Sequence, residues 1–384
     1  MIYITTNINI KNNTSFLKNT FRKYYFSSNN KIDIKSPEKR EFGFLQFDQR
    51  IIRHLSFSDI GELQAYLIKE VPMDIYCSNA YYRFPTFPMN AKEWQGAELI
   101  FDIDVKDLKL SCEIEHTYFL CENCNIVSDK YTNICPKCGI GKMKSINLIC
   151  QNCIKSLRFE VKKLISVLIE DFGISRDKIE VYFSGNTGFH IYVYDSAFNS
   201  LNSTSRSDIS GYLLGKDLLP QLLGIRIKNG EVYTKIPYFG FEYGWRKKLI
   251  NEFKIDNITN QKLSNLIDKS GGYDTFKVLL TKKILEIGVK IDPMVTMDIH
   301  RIFRMPGSIN SKAGLIKVKC DNIDTFDPMT ESCLFDETSI TVFNKIRLKF
   351  KMKNKRYNLE TKRVRLPAYV AAFLVCKGFA DVVY

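Results

Sequence analysis

Apolar residues recur along this chain with two periods, and the switches between them mark its elements. Helical spacing puts Phe16, Leu17, Phe21, Tyr24 and Tyr25 on one side of 12–26, leaving Lys18, Arg22 and Lys23 to the rest of the surface. The same period runs from Ser58 or Asp59, either one suited to an N-cap, through Glu70, with Leu63, Tyr66 and Leu67 inward. It is clearest over 154–172, where Leu157, Val161, Leu164, Ile165, Leu168 and Phe172 form one stripe that Gly173 ends. From Ser207 to about Leu223, and again from about Ile255 to Ile287, helical patterns carry polar, Lys-rich faces around a basic, aromatic stretch at 225–248.

Shorter, denser apolar runs predict strands. Residues 40–45 and 51–57 form a meander, 75–82 is a further strand, and 99–105 another. Two runs, 179–183 and 189–193, flank Ser184-Gly185-Asn186-Thr187-Gly188 and predict a hairpin. Between Lys345 and Arg356, alternation places six cations on one face and Ile346, Leu348, Phe350 and Met352 on the other, which fits a solvated edge strand or a nucleic-acid track. Residues 366–376 are apolar but too short to span a bilayer.

The run at 99–105 reads Leu-Ile-Phe-Asp-Ile-Asp-Val. Side chains alternate faces along a strand, so Asp102 and Asp104 point the same way, roughly 6–7 Å apart. Two bare carboxylates at that distance repel, and one of them would hold a proton near neutral pH. A divalent cation relieves the repulsion, and Mg²⁺ prefers carboxylate oxygens together with substrate phosphates. Two surface aspartates on a wet strand face are the plain alternative.

At 384 residues the chain is long enough for one large or two modest domains. Fifty-six Lys and Arg against 42 Asp and Glu give +14, a surplus that suits a polyanion, nucleic acid before an acidic membrane surface. No apolar run is long enough to cross a membrane, and the first residues lack the pattern of a secretory signal, so a soluble, intracellular, cytoplasmic and nucleoid-associated protein is expected. Of 11 cysteines, six form three C-x-x-C pairs, which in such a setting means metal rather than disulfides. Cys121-x-x-Cys124 and Cys135-x-x-Cys138-Gly139 have the form of a zinc ribbon, four thiolates presented by two tight turns. A second site from Cys112, His116, Cys150 and Cys153 is open, against unmetallated buried thiols. Both read as structural.

The turn of the predicted hairpin exposes backbone N–H groups that can cradle phosphate, with His190 in reach of the same anion; an ordinary hairpin is the plain alternative. A last segment, Asp292 to Leu315, places a third carboxylate, Asp298, on a strand-like stretch with Arg301, Arg304 and Lys312 close behind. One acid beside several bases is the composition of a metal–triphosphate site, although a surface ion-pair cluster shares it.

The order of these pieces resembles the small catalytic subunit of archaeo-eukaryotic primases, most closely the archaeal type: F-D-I-D, Cys pairs, a helix ending Glu170-Asp171-Phe172-Gly173, S-G-x-x-G-x-H, then T-x-D with R-x-x-R-x-P-x-S-x-x-x-K-x-G-L. The likeness spans roughly residues 15–320 and fades past about 330. It implies an α+β primase fold, an RRM-like antiparallel sheet flanked by helices, with an inserted zinc ribbon and a helical subdomain. The expected division is 1–111 (core with the acid strand), 112–153 (zinc insertion), 154–205 (core helix and hairpin), 206–290 (helical insertion) and 291–384 (core with the third acid and basic tail). Carried over residue by residue, Asp102, Asp104 and Asp298 hold two Mg²⁺ or Mn²⁺ ions. Ser184, Gly185, Gly188 and His190 bind the nucleotide, as do Arg304, Ser308 and Lys312. Asn310 stands where the family often has His. The resemblance implies primer synthesis on a single-stranded DNA template from nucleoside triphosphates, with an iron–sulfur large subunit as heterodimeric partner. A primer-extending repair polymerase and a non-catalytic zinc-ribbon nucleic-acid-binding protein are the competing readings.

Overall fold

The computed structural model describes residues 2–28, 30–229, 231–236, 242–255 and 257–384. It is a mixed α/β protein built on two four-stranded antiparallel sheets. In the first, the strand order is Ile302–Arg304, Asp74–Ser78, Phe42–Leu45, Ile51–Leu55. In the second it is Val318–Lys319, Ile179–Phe183, Gly188–Val193, Leu99–Asp104.

The acid strand Leu99–Asp104 is apolar on both faces because both are covered. Leu99, Phe101 and Ile103 lie in one core with Leu157, Val161, Leu164 and Leu168 of the helix Gln151–Glu170, all fully buried. On the other face Ile100 packs with Tyr182, Tyr192, Val295 and Phe303, a cluster that joins the second sheet to the edge strand of the first. Asp102 and Asp104 share that face with Ile100, so the carboxylates open into the seam between the sheets.

Several expected elements differ in extent. The first helix runs Ile2–Phe26 rather than 12–26. The expected strand at 75–82 is two strands, Asp74–Ser78 in the first sheet and Ala80–Tyr82 paired with Trp94–Ala97. The break falls at Asn79, whose N–H donates to the Arg301 carbonyl and whose carbonyl accepts from Glu98 N–H. The stretch 225–248 contains a hairpin, Ile225–Lys228 with Glu231–Thr234, and the helix Gly244–Glu252; part of it lies outside the described residues. With Asn260–Lys269 and Tyr273–Ile287 these pieces close a core of their own around Trp245, Leu249, Leu263, Phe276 and Leu280.

The basic tail is a hairpin rather than one edge strand. Leu348–Met352 pairs with Lys355–Leu359, turning at Lys353 and Asn354 with φ of 44° and 63°. The alternation holds within its first arm, where Lys349 and Lys351 are exposed and Leu348 and Met352 buried. Beyond it, the helix Ala368–Cys376 is buried from Ala368 to Val375, and Ala380–Val382 pairs with Ser339–Asn344. Asn13 fastens this end to the first helix, donating to Asp381 and accepting from Val382 N–H. No helix among the described residues is long and apolar enough to cross a membrane.

Candidate active site

Register brings the candidate residues together. The hairpin strand Gly188–Val193 lies against the acid strand with His190 opposite Asp102 and Gly188 opposite Asp104. A Cβ on Gly188 would sit 2.6 Å from the Ile103 carbonyl oxygen, so the close approach needs glycine. Gly185 turns the chain at φ +82°, and a Cβ there would meet Asn310 and the Leu315 carbonyl. Ser184 closes the turn: its N–H donates to the Gly188 carbonyl and its hydroxyl accepts from Gly188 N–H. Thr187 Oγ1 donates to Asp104 at 3.0 Å.

Burial, and then the Asp104 charge, push the Asp102 carboxyl up to about 7. This is the repulsion expected of two carboxylates on one strand face. His190 Nε2 lies 3.6 Å from Asp102 Oδ1, while Nδ1 lies 2.9 Å from Lys317 Nζ. Burial and the cations Lys317, Arg304 and Arg301 hold the imidazole well below its ordinary pKa, so it is neutral.

The structure sets Asp298 apart from the acid pair. Asp298 is not on a strand: it is exposed on a turn after the short helix Pro293–Met297, accepts from His300 N–H at 3.0 Å, and exerts its charge on Tyr82. Asp292 is the carboxylate beside the pair. Its N–H donates to the Asp102 carbonyl, its charge raises Asp102, and Lys106 Nζ lies 3.9 Å from its Oδ2. Thr296 Oγ1 completes the seam by donating to the Ile100 carbonyl. An N-cap aspartate before a proline is readable in sequence, and Asp292-Pro293 carries that signal.

The segment 304–312 divides into support and surface. Arg304 is buried, paired with Asp74 at 2.5 Å and donating to the Ile309 carbonyl, and Ser311 Oγ donates to the same Asp74. Ser308 is fully buried and its hydroxyl donates to the Met305 carbonyl. Neither side chain is turned outward to a ligand. Lys312 is exposed, its main-chain N–H bound by Asn310 Oδ1; Asn310 also donates to the Ser184 carbonyl and so ties this segment to the hairpin. Two lysines absent from the sequence reading reach the site. Lys317 contacts His190, and Lys377, from the far end of the chain, donates to Asn186 Oδ1 and the Asn147 carbonyl. Nothing in local sequence marks either, because their partners lie far away along the chain.

Both cysteine clusters form. Cys121, Cys124, Cys135 and Cys138 bring their ligand atoms within 4.8 Å of one another, as do Cys112, His116, Cys150 and Cys153. In the first, the Sγ separations Cys121–Cys138 and Cys124–Cys135 are 3.7 and 3.6 Å, close to the roughly 3.8 Å edge of a tetrahedron with 2.3 Å metal–sulfur bonds. Main-chain N–H groups of Asn123, Cys124, Lys137 and Gly141 donate to these sulfurs. A Cβ on Gly141 would meet Cys121 Sγ at 2.3 Å, so the turn is shaped around the thiolates. In the second, His116 Nε2 lies 3.3 Å from Cys153 Sγ, and Cys153 is fully buried at the start of the long helix.

Residues 126–321 match the family model described as DNA primase small subunit. The chain is 41% identical over 374 residues to the DNA primase small subunit PriS of Nitrosopumilus maritimus, covering 96% of this chain and 98% of that one. It is 38% identical over 369 residues to PriS of Cenarchaeum symbiosum, and 30% identical over 381 residues to PriS of Archaeoglobus fulgidus. The likeness therefore runs well past residue 330. With the acid pair, the cysteine clusters and the hairpin in this order, the chain belongs to the DNA primase small subunit family.

Proposed function

We propose that this chain is the catalytic subunit of a DNA primase, a nucleotidyltransferase that joins nucleoside triphosphates into short primers on single-stranded DNA for replication. The observation that carries the reading is the pairing of Asp102 and Asp104 with the His190 hairpin, in a member of the primase small subunit family.

Asp102, Asp104 and Asp292 are hard oxygen donors that suit Mg²⁺ or Mn²⁺, and the crowding that lifts Asp102 to about 7 is what a cation would relieve. When bound, two such ions supply a lowered pKa at the attacking 3′-hydroxyl and charge neutralisation at the leaving pyrophosphate. The chain's own part is positioning. Gly185 and Gly188 allow the hairpin backbone close to the triphosphate, His190 presents Nε2, and Lys312 and Lys377 add positive charge near the turn. Arg304 and Ser308 act behind this surface, holding the 304–312 turn in shape.

The Cys₄ cluster fits Zn²⁺ in a ribbon inserted before the long helix, and the Cys₃His cluster fits a second Zn²⁺. Both lack an open position and are structural. The antiparallel sheet carrying the acids, with the helix Gln151–Glu170 on its covered face, supports reading this part as an RRM-like core. The relatives' designation as small subunits points to a large subunit as partner, the iron–sulfur protein of the heterodimer.

The test is incubation of the purified chain with single-stranded DNA, labelled nucleotides and Mn²⁺, beside Asp102→Ala/Asp104→Ala. Primer-free, template-dependent products from the unsubstituted chain alone are expected. Extension only of a supplied primer, even with the large subunit added, would assign a polymerase instead.

A further inference from the structure

Lys317 is a fully buried lysine in the seam between the two sheets. Its Nζ has three neighbours: Nδ1 of His190 at 2.9 Å, the Tyr192 hydroxyl at 2.7 Å and the Arg304 carbonyl at 2.8 Å. It stands over the Tyr192 ring at 4.7 Å and the Tyr182 ring at 5.6 Å. Its main chain is fixed as well, since Lys317 N–H donates to the Ser308 carbonyl and the Lys317 carbonyl accepts from Gly307 N–H. One residue thus links the hairpin to the 304–308 turn.

We infer that Lys317 is a positioning residue of the nucleotide site: its Nζ donates to Nδ1 of His190 and keeps the imidazole as the Nε2–H tautomer, with that N–H turned toward Asp102 and the triphosphate. As an ammonium, Nζ has no lone pair and donates to all three neighbours. As an amine, it has one lone pair: the Arg304 carbonyl cannot fill it, and the Tyr192 hydroxyl, at 2.7 Å against 2.9 Å for Nδ1 and a stronger donor than a neutral imidazole N–H, takes it. Nδ1 accepts in both cases. The consequence is functional. An Nε2–H donates to a phosphate oxygen, whereas the other tautomer would turn a lone pair toward it.

This inference rests on His190 being a nucleotide ligand, so the experiment separates the two claims. The chain has four histidines, and ¹⁵N-histidine labelling of the full-length protein resolves their tautomers by long-range ¹H–¹⁵N correlation; His190→Ala identifies the His190 signals. The unsubstituted protein is expected to show His190 as Nε2–H. Lys317→Met is expected to mix the tautomers and raise the nucleotide KM roughly tenfold, with kcat changed much less, the scale of one lost charge-assisted hydrogen bond. Lys317→Gln, which retains an N–H donor, restores part of the loss. A proton on Nδ1 of the unsubstituted protein overturns the inference even if no Lys317 variant folds. So does an unaltered His190 tautomer in a folded Lys317→Met. If His190→Ala leaves the nucleotide KM unchanged, the reading of His190 as a ligand falls, while the tautomer measurement still judges Lys317.

Discussion

The main-chain N–H of Asp292 donates to the carbonyl of Asp102 across 3.0 Å. That bond lays the start of the Pro293–Met297 helix along the acid strand and sets a third carboxylate beside the first two. Asp298, six residues on, is carried away to an exposed turn near Tyr82 and His300. Asp292→Asn should therefore lower kcat for primer synthesis by roughly 10²-fold or more, the scale seen when one group stabilising transition-state charge is removed. Asp298→Asn should stay within about threefold, because surface changes away from the reacting groups have small effects. Steady-state kinetics on both variants decide the matter, and the opposite ranking would return the role to Asp298.

Asp102 carries a stability cost in the metal-free protein. Its carboxyl is raised to about 7 by burial and by Asp104, against an unfolded value of about 3.9. A folded state that holds this proton more tightly than the unfolded one is favoured while the group is protonated. The contribution is full below about pH 4 and is lost as pH rises through about 7. At pH 8 without metal, Asp102→Asn should accordingly be more stable than the unsubstituted chain, by about 1–3 kcal/mol after allowing for solvent screening. Mn²⁺ should raise the melting temperature of the unsubstituted chain and much less that of the variant. Thermal unfolding at pH 8 with and without Mn²⁺ measures both. A variant that melts lower in metal-free buffer would count against the crowded pair.

How far this was legible in the sequence depends on how local the signal is. The acid strand was readable because its apolar cover and its two aspartates sit in six consecutive residues, and the hairpin because glycines mark its turn. The tail hairpin was missed because Lys353 and Asn354 turn at positive φ without a glycine, and unbroken alternation runs straight through them. The split of 75–82 was missed because Asn79 takes its partners from Arg301 and Glu98, invisible from its neighbours. Asp292 was passed over for an acid expected on a strand, although Asp-Pro announces a helix start. Which way Arg304 faces is decided by Asp74, a partner over two hundred residues away, and local sequence does not show it.

The two cysteine clusters should differ in what they hold together. Cys153 is buried at the start of the helix that covers the acid strand and belongs to the main core. Cys121, Cys135 and Met143 form a small core apart from it. Metal analysis of the purified chain should find two zinc ions. Cys153→Ser should lower the midpoint of global unfolding by several kcal/mol, on the scale of a lost structural metal site. Cys138→Ser should release one zinc and loosen the ribbon, leaving the main transition nearly in place. A single zinc per chain would show that one cluster is not a metal site, and equal effects of the two substitutions would show that the ribbon is not a core apart.

Lys377 makes the last prediction. It comes from the end of the buried helix Ala368–Cys376, yet its Nζ donates to Asn186 Oδ1 in the hairpin turn and to the Asn147 carbonyl at the end of the third ribbon strand, Met143–Asn147. Burial pushes its pKa down to about 8, which leaves it mostly protonated at pH 7. Asp104 and Lys312 are among the charges that act on it, which places it by the acid pair and the outward lysine. Lys377→Met keeps the length of the side chain but removes both donors and the charge. It should cost about 1 kcal/mol, because both acceptors are partly exposed and water replaces some of what is lost. The nucleotide KM should rise several-fold, since the turn loses its anchor and the triphosphate a neighbouring cation. Lys377→Arg should keep most of the charge effect while disturbing the packing. Denaturant melts beside nucleotide KM for both variants separate the two roles. Loss of stability with an unchanged KM would make Lys377 a fastening of the fold alone.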